Sequence, residues 1–241
     1  MSRRREPLGF LLAPMLVVAA LLAGACGGPP EEATLQRFFR ASQARDNATL
    51  MNFAVVGFEP KTDGTISDFD IVSVSEERSE PLRIKELAAA YEEVQAAERK
   101  FNDEKLVYQN ANVPAINRVL KAEFEKKPVT GKDVVVEAEW NKWRTETQQW
   151  AKKVSDAQAR LANARPVPEV SLSSLPPEQV PDLTKAEGET FSKDVTINAT
   201  VRLPDGKTVP KTLVITMQRV RLKGATPEGL MGRWVIAGIK E

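Results

Sequence analysis

Asp68 and Asp70, on either side of Phe69, are the closest this chain comes to a reactive pair. Alternate residues of a β-strand share a face, so two such carboxylates would project together and could hold a divalent cation. The same spacing also describes a wet strand face opposite a buried Phe69, and that simpler reading is preferred. Glu137 and Glu139 have the same spacing but fall in a helical stretch, where residues two apart point in different directions. There is no histidine. This removes Ser-His-Asp and Cys-His catalysis, and histidine-ligated zinc, iron or copper. Cys26 is the only cysteine, so no intrachain disulfide can form. Neither G-x-x-x-x-G-K-[ST] nor G-x-G-x-x-G occurs, so no phosphate cradle is visible. Carboxylate, lysine and serine chemistry remain open in principle, without a constellation to perform them. The expectation is a protein that is not an enzyme and carries no cofactor or metal.

The start of the chain is informative. Arg3, Arg4 and Arg5 precede an apolar run from Leu8 to Leu22. At about fifteen residues this run is shorter than the ~20 that a helix needs to cross a bilayer. A basic start, a short apolar core and small residues behind it form a secretion signal rather than a span. The small residues lead into Leu22-Ala23-Gly24-Ala25-Cys26, which resembles the lipobox of bacterial lipoproteins. The resemblance is confined to this leader and departs at Ala23, where the family usually has Leu. It implies cleavage before Cys26 and lipidation of its sulfur, which would also account for an unpaired thiol in an exported protein. Two or more acyl chains anchor stably. Residues 27–30, Gly-Gly-Pro-Pro, would then be a tether of less than about 20 Å. Gly27, rather than Asp, resembles the enterobacterial outer-membrane default, so the expected place is the periplasmic side of a cell membrane, the outer one in a diderm.

Loss of residues 1–25 would remove three Arg and one Glu, leaving 31 basic and 32 acidic residues, net −1. Nucleic-acid binding needs a clustered positive face, so no nucleic-acid partner is expected. Attachment to anionic lipid by charge alone is not expected either.

The remainder falls into distinct stretches. Residues 31–56 read as helix, with Leu35, Phe38 and Phe39 on one face. A break at Asp46-Asn47 lets either residue cap a short second helix carrying Leu50, Phe53 and Ala54. Residues 61–64, Lys-Thr-Asp-Gly, signal a turn, and Phe69, Ile71, Val72 and Val74 a strand. From Arg83 the period becomes helical through Ile84, Leu87, Tyr91, Val94, Phe101 and Tyr108. Asn110 to Pro114 reads as a break, followed by a shorter stripe of Ile116, Leu120 and Phe124. Thr130 and Asp133 have the spacing of a capping box. Behind them Val136, Trp140, Trp143, Thr147, Trp150, Val154, Ala157 and Leu161 alternate at spacings of four and three, a coiled-coil seam. Each long stripe needs a partner, so 82–165 should form an antiparallel helical hairpin. Five prolines between Pro166 and Pro181 mark a stiff, extended connector over 166–182. Over 183–241, alternation through Val195–Leu203, an Asp205-Gly206 turn, and apolar runs at Leu213–Leu222 and Trp234–Ile239 predict a β-meander.

The fold class expected is therefore α+β: N-terminal helices on a curved antiparallel sheet, formed by 31–81 and 183–241, with the hairpin inserted. This order, together with residues 40–50 at the joint between the first two helices, resembles the cystatin-like superfamily that includes nuclear-transport-factor-like domains. The resemblance implies a sheet wrapped round a long helix, leaving a conical pocket. Enzymatic members commonly use an acid or His pair inside that cone, and none is identifiable here. Fold is in any case a poor guide to function. Trp140, Trp143 and Trp150 are more aromatic mass than a two-helix seam needs, so part of that face is a candidate partner-binding surface. The preferred expectation is a lipid-anchored scaffold or adaptor that binds another envelope protein through the hairpin. The alternative is a carrier of a small molecule or lipid in the cone.

Overall fold

The computed structural model describes residues 29–224 and 229–241. It is α+β, with helices and a curled antiparallel half-barrel sheet. Helix α1 (Pro30–Ala44) starts with Pro in its first turn, where no intrahelical N–H is needed, and with Glu31 and Glu32 at the positive end of the dipole. It buries Leu35, Phe38 and Phe39. Arg45 ends it in a left-handed conformation, and Asp46 N–H bonds back to the Ala41 carbonyl. Asp46 caps the one-turn α2 (Asn47–Leu50), accepting from Thr49 N–H at 3.0 Å. The expected helix over 31–56 is thus shorter than the pattern indicated. Phe53 and Ala54 leave the helical path because the segment pairs with the last strand: Ile236 N–H donates to Phe53 O and Val55 N–H to Ile236 O.

Strands β1 (Thr65–Val74) and β2 (Arg78–Pro81) lie end to end along one side of β3 (Gly188–Arg202). β4 (Thr208–Leu222) pairs with β3 along its whole length, turning at Gly206 (φ 87°). β5 (Leu230–Met231) and β6 (Val235–Lys240) share the far edge of β4. The meander expected over 183–241 is present, with β3 and β4 longer than the alternation suggested.

The side chains of β4 change allegiance along its length. Leu213, Ile215 and Met217 are buried at odd positions, against α1 in a core that includes Phe38, Phe39, Phe53, Phe58, Val195 and Ile197. Val220 and Leu222 are buried at even positions. Successive strand residues face opposite sides of a sheet, so the second pair looks away from α1. It packs with Leu82, Ile84, Leu172, Leu183 and Ala186, and with Leu161 and Ala164 at the rim. This second core is the root of the helical hairpin. Its helices are α3 (Ile84–Phe124) and α4 (Asp133–Ala164).

The Pro-rich stretch after α4 is not the extended connector expected. Its first part is helix α5 (Pro166–Leu172), with prolines confined to the first turn, where they are tolerated. Ser171 is fully buried and fastens α5 to the sheet. Its Oγ donates to Arg233 O at 2.8 Å and accepts from Val220 N–H at 3.1 Å, while its carbonyl accepts from Arg233 N–H at 2.9 Å. Gly232 permits the approach, since a Cβ there would sit 2.3 Å from Ser171 Oγ.

At the other end of α1, buried Glu31 and Lys193 form an ion pair, and Lys193 Nζ lies 4.2 Å from the centre of the Trp234 ring. Burial pushes the Glu31 carboxyl up. Hydrogen bonds from Lys193 and from its own backbone N–H, with the lysine's charge, outweigh that, and its pKa lies below the ordinary glutamate value.

Two outcomes follow. Ser171→Ala leaves the buried Val220 N–H without its acceptor and should cost about 1–3 kcal/mol, read as a lowered urea midpoint. For Glu31, a depressed folded-state pKa means that the pair's contribution is complete above the unfolded-state value and is lost as pH falls below roughly 4. Urea midpoints followed downward from pH 7 should therefore drop through this window more steeply than those of a Glu31→Gln/Lys193→Met variant.

Candidate functional site

The hairpin contains the two longest helices, with few buried residues for their length. No residue of α4 is fully buried, and Trp140, Trp143 and Trp150 are each half-buried. All three face into the seam. Phe101 lies between Trp143 and Trp150, with ring centres 5.3 and 6.1 Å away, and Tyr108 is 5.9 Å from Trp143. Cations lie over two of the indoles. Lys153 Nζ lies 4.1 Å from the Trp150 centroid, and Arg144 and Lys105 lie 5.8 and 5.9 Å from that of Trp140. Lys105 also donates to Thr147 Oγ1 at 2.9 Å, tying the two helices together within the seam. Burial, and then the negative charge of Glu139, raise the pKa of the Tyr108 phenol. The indole N–H groups of Trp140 and Trp143 are shielded from water without a hydrogen-bond partner.

The break expected over Asn110 to Pro114 is present, as a kink at which two helices meet within α3. Asn112 alone leaves helical geometry (φ −122°, ψ 15°). Pro114 has no N–H to give to the preceding turn, and Asn112 Nδ2 donates to Tyr108 O at 2.9 Å in place of a backbone donor. The bend is large. Arg144 grips Glu123 with two hydrogen bonds of 2.8 and 3.0 Å. In the register set by Tyr108 and Trp143, a straight α3 would carry Glu123 roughly 25 Å along the axis from Arg144, beyond any side chain's reach. The segment after Asn112 therefore turns and lies against the first half of α4, making the distal end three helical segments thick. This is how Ile116 and Val119 come to be 4 % and 0 % exposed, which a two-helix rod would not achieve.

Asp133 is not the partner of Thr130 in a capping box; α4 has no side-chain cap. Arg118 takes the carboxylate instead, through two hydrogen bonds of 2.7 Å that hold the Asp133 pKa below the usual range. A charged fork from a neighbouring helix outcompetes the neutral backbone N–H that a capping box would offer this carboxylate.

The apolar residues that remain exposed are not the tryptophans. They are Leu106, Val107, Val113, Leu120, Phe124, Val134 and Val135, seven of the eleven exposed large hydrophobics among the described residues. Phe124 is 89 % exposed. The stripe of Ile116, Leu120 and Phe124 included two of these positions; the others went unread, although a signal was there. Val134-Val135-Val136 puts three apolar residues where the seam takes one, and Leu106-Val107 does the same beside Tyr108.

The other candidates are not drawn together. Asp68 and Asp70 lie on the exposed side of β1 opposite Thr200 and Asn198, beside an irregularity in pairing at Ser67. Among the described residues no group of three or more potential metal ligands exists. Cys26 and the proposed leader lie outside the described residues. Among the described helices none is long and apolar enough to cross a membrane. Comparison with family models, curated proteins and solved structures gave no match.

The bend can be measured directly. With Cys26→Ser removing the native thiol, Glu123→Cys and Arg144→Cys can carry a nitroxide pair. Electron-spin distances should fall below about 20 Å; a helix continuous through Asn112 would place the labels beyond about 25 Å.

Proposed function

We propose that this protein is a non-enzymatic, lipid-anchored envelope scaffold or adaptor that engages another envelope protein through the distal half of its helical hairpin. The observation carrying this reading is the gathering of exposed apolar side chains there, from Leu106 to Val135. A patch of this kind on an otherwise well-packed protein is the usual mark of an interface. The hairpin root is secured by a core of its own, which suits a rigid arm. The tryptophans then serve to stiffen the arm, and the partner-facing residues are those around Phe124 and Val135. Cys26 would supply the anchor, as its resemblance to a lipobox implies.

The carrier reading needs an empty cone between α1 and the sheet. That space is occupied by Leu35, Phe38, Phe39, Phe53, Phe58 and the inward residues of β3 and β4, so the packing lends it no support.

Photo-crosslinking in intact cells tests the adaptor reading. Probes at Val107, Phe124 and Val135 should capture one dominant envelope protein, and a probe at the exposed sheet position Thr200 should not. Lys142 and Lys152, exposed on the shaft, locate the edge of the contact. Capture from Thr200 alone, or equal and diffuse capture everywhere, would remove the hairpin as the binding element.

A further inference from the structure

Three arginines, Arg37, Arg40 and Arg233, gather on one side of the α+β body without an acid to hold them, and a fourth, Arg45, ends the same helix. Arg37 and Arg40 are exposed on α1, three residues apart and so on one helix face, and Arg45 follows at its end. The Arg37 guanidinium lies 4.8 Å over the ring of Phe53. Arg233 is near enough to Arg37 that the two repel: burial first, then the charge of Arg37, lower its pKa. Arg233 is held only by neutral acceptors, Ser173 Oγ at 2.6 Å and the Val170 carbonyl at 3.4 Å. By contrast, Arg78, Arg118, Arg144, Arg165, Arg219 and Arg221 each grip a carboxylate. Among the described residues Arg37, Arg40, Arg45 and Arg233 grip none; Arg99, Arg160 and Arg202, also without an ion pair, are dispersed over α3, α4 and β3. The acids of α1 are already engaged, Glu31 by Lys193 and Glu32 by the Gln36 amide, and Asp46 caps α2. The turn leading to Phe53 also presents Met51, 69 % exposed.

We propose that this arginine face of α1 rests on the anionic phospholipid headgroups of the membrane in which Cys26 is anchored. The inference rests on the anchoring reading above and adds an orientation to it. α1 starts at Pro30, so a tether of less than about 20 Å keeps the start of the helix close to the headgroups, and a helix only ~22 Å long can then lie along them. The arginines are spread along a convex helix surface rather than gathered in a cleft, which fits a broad anionic surface better than a single small anion. Each basic group near such a surface strengthens binding only about fivefold, but a tether raises the effective concentration enough for a weak contact to persist. The near-zero net charge of the mature chain conceals this local asymmetry. With α1 on the bilayer, the sheet lies between membrane and hairpin root, because α1 and the root occupy opposite faces of β4.

The test uses residues 26–241 with Cys26→Ser, which contain the whole described fold and no acyl chain, at millimolar lipid, where the weak contact is populated without its tether. Co-sedimentation with vesicles of phosphatidylcholine alone is compared with vesicles containing three-tenths phosphatidylglycerol. Binding should require phosphatidylglycerol and weaken as salt is raised. Arg37→Gln/Arg40→Gln/Arg45→Gln, all at exposed positions, should reduce it at least about tenfold. Lys142→Gln/Lys152→Gln/Arg160→Gln, which removes equal charge from α4, should leave it unchanged. Equal binding to both vesicle types, or equal loss in the two variants, overturns the proposal. Palmitate labelling of the native chain in cells reads the anchor separately. Label at Cys26 without phosphatidylglycerol-dependent binding removes only the docking face; dependent binding without label removes the anchor and keeps the face.

Discussion

The architecture turns on one strand that is asked to bury opposite sides at its two ends. Up to Met217, β4 faces α1; from Val220 it faces the hairpin root. Because side chains alternate along a strand, this takes no irregularity in the pairing of β4 with β3, only a change in which parity is apolar; on the other edge, the pairing with β6 shifts register between Thr216 and Met217, beside the handover. Gln218, Arg219 and Arg221 occupy the handover, and Arg219 is held there by Glu77 at 2.9 Å and by the Trp234 ring at 4.5 Å. One sheet can in this way support two cores that share no side chains. A single-residue slip of β4 would expose both cores at once, so its long, unbroken register with β3 carries the cost of the whole arrangement.

That parity change is written in the sequence, since Leu213, Ile215 and Met217 give way to Val220 and Leu222. It is easy to read as one continuous apolar strand, and the second core then goes unseen. The layout of α1, the Asp46 cap, the insertion and the final meander was legible because each rests on local chemistry: an Asx cap, an Asp-Gly turn, a clean period. What was not legible depends on neighbours distant in sequence. Pro166 and Pro168 look like a linker until Ser171 and Gly232 are seen to meet. Thr130 and Asp133 look like a capping box until Arg118 arrives from another helix. Asn112 and Pro114 announce an interruption, but only the grip of Arg144 on Glu123 shows its direction.

The hairpin shows the same division. A seam of alternating fours and threes identifies which residues pack, and Trp143 and Trp150 do pack, on Phe101. It does not identify which residues bind, because surplus aromatic mass in a seam can be absorbed by a third helical segment folding over the end. Of the apolar positions left over after that folding, Leu106, Val107, Val113, Val134 and Val135 had no place in the period, whereas Leu120 and Phe124 did.

The insertion also shapes how the chain can assemble. β2 must find β3 across roughly a hundred intervening residues, and closing a loop of that length costs entropy that grows with its logarithm. The helices of the insertion are built from near-neighbour contacts and can form first, on the fast timescale of local structure. Once they have, Leu82 and Gly188, whose backbones bond at 2.9 Å, are separated by a short rigid detour rather than a long flexible one. Each halving of the effective loop returns about 0.6 kcal/mol, so an arm that looks like an appendage also acts as the clamp that lets the sheet close.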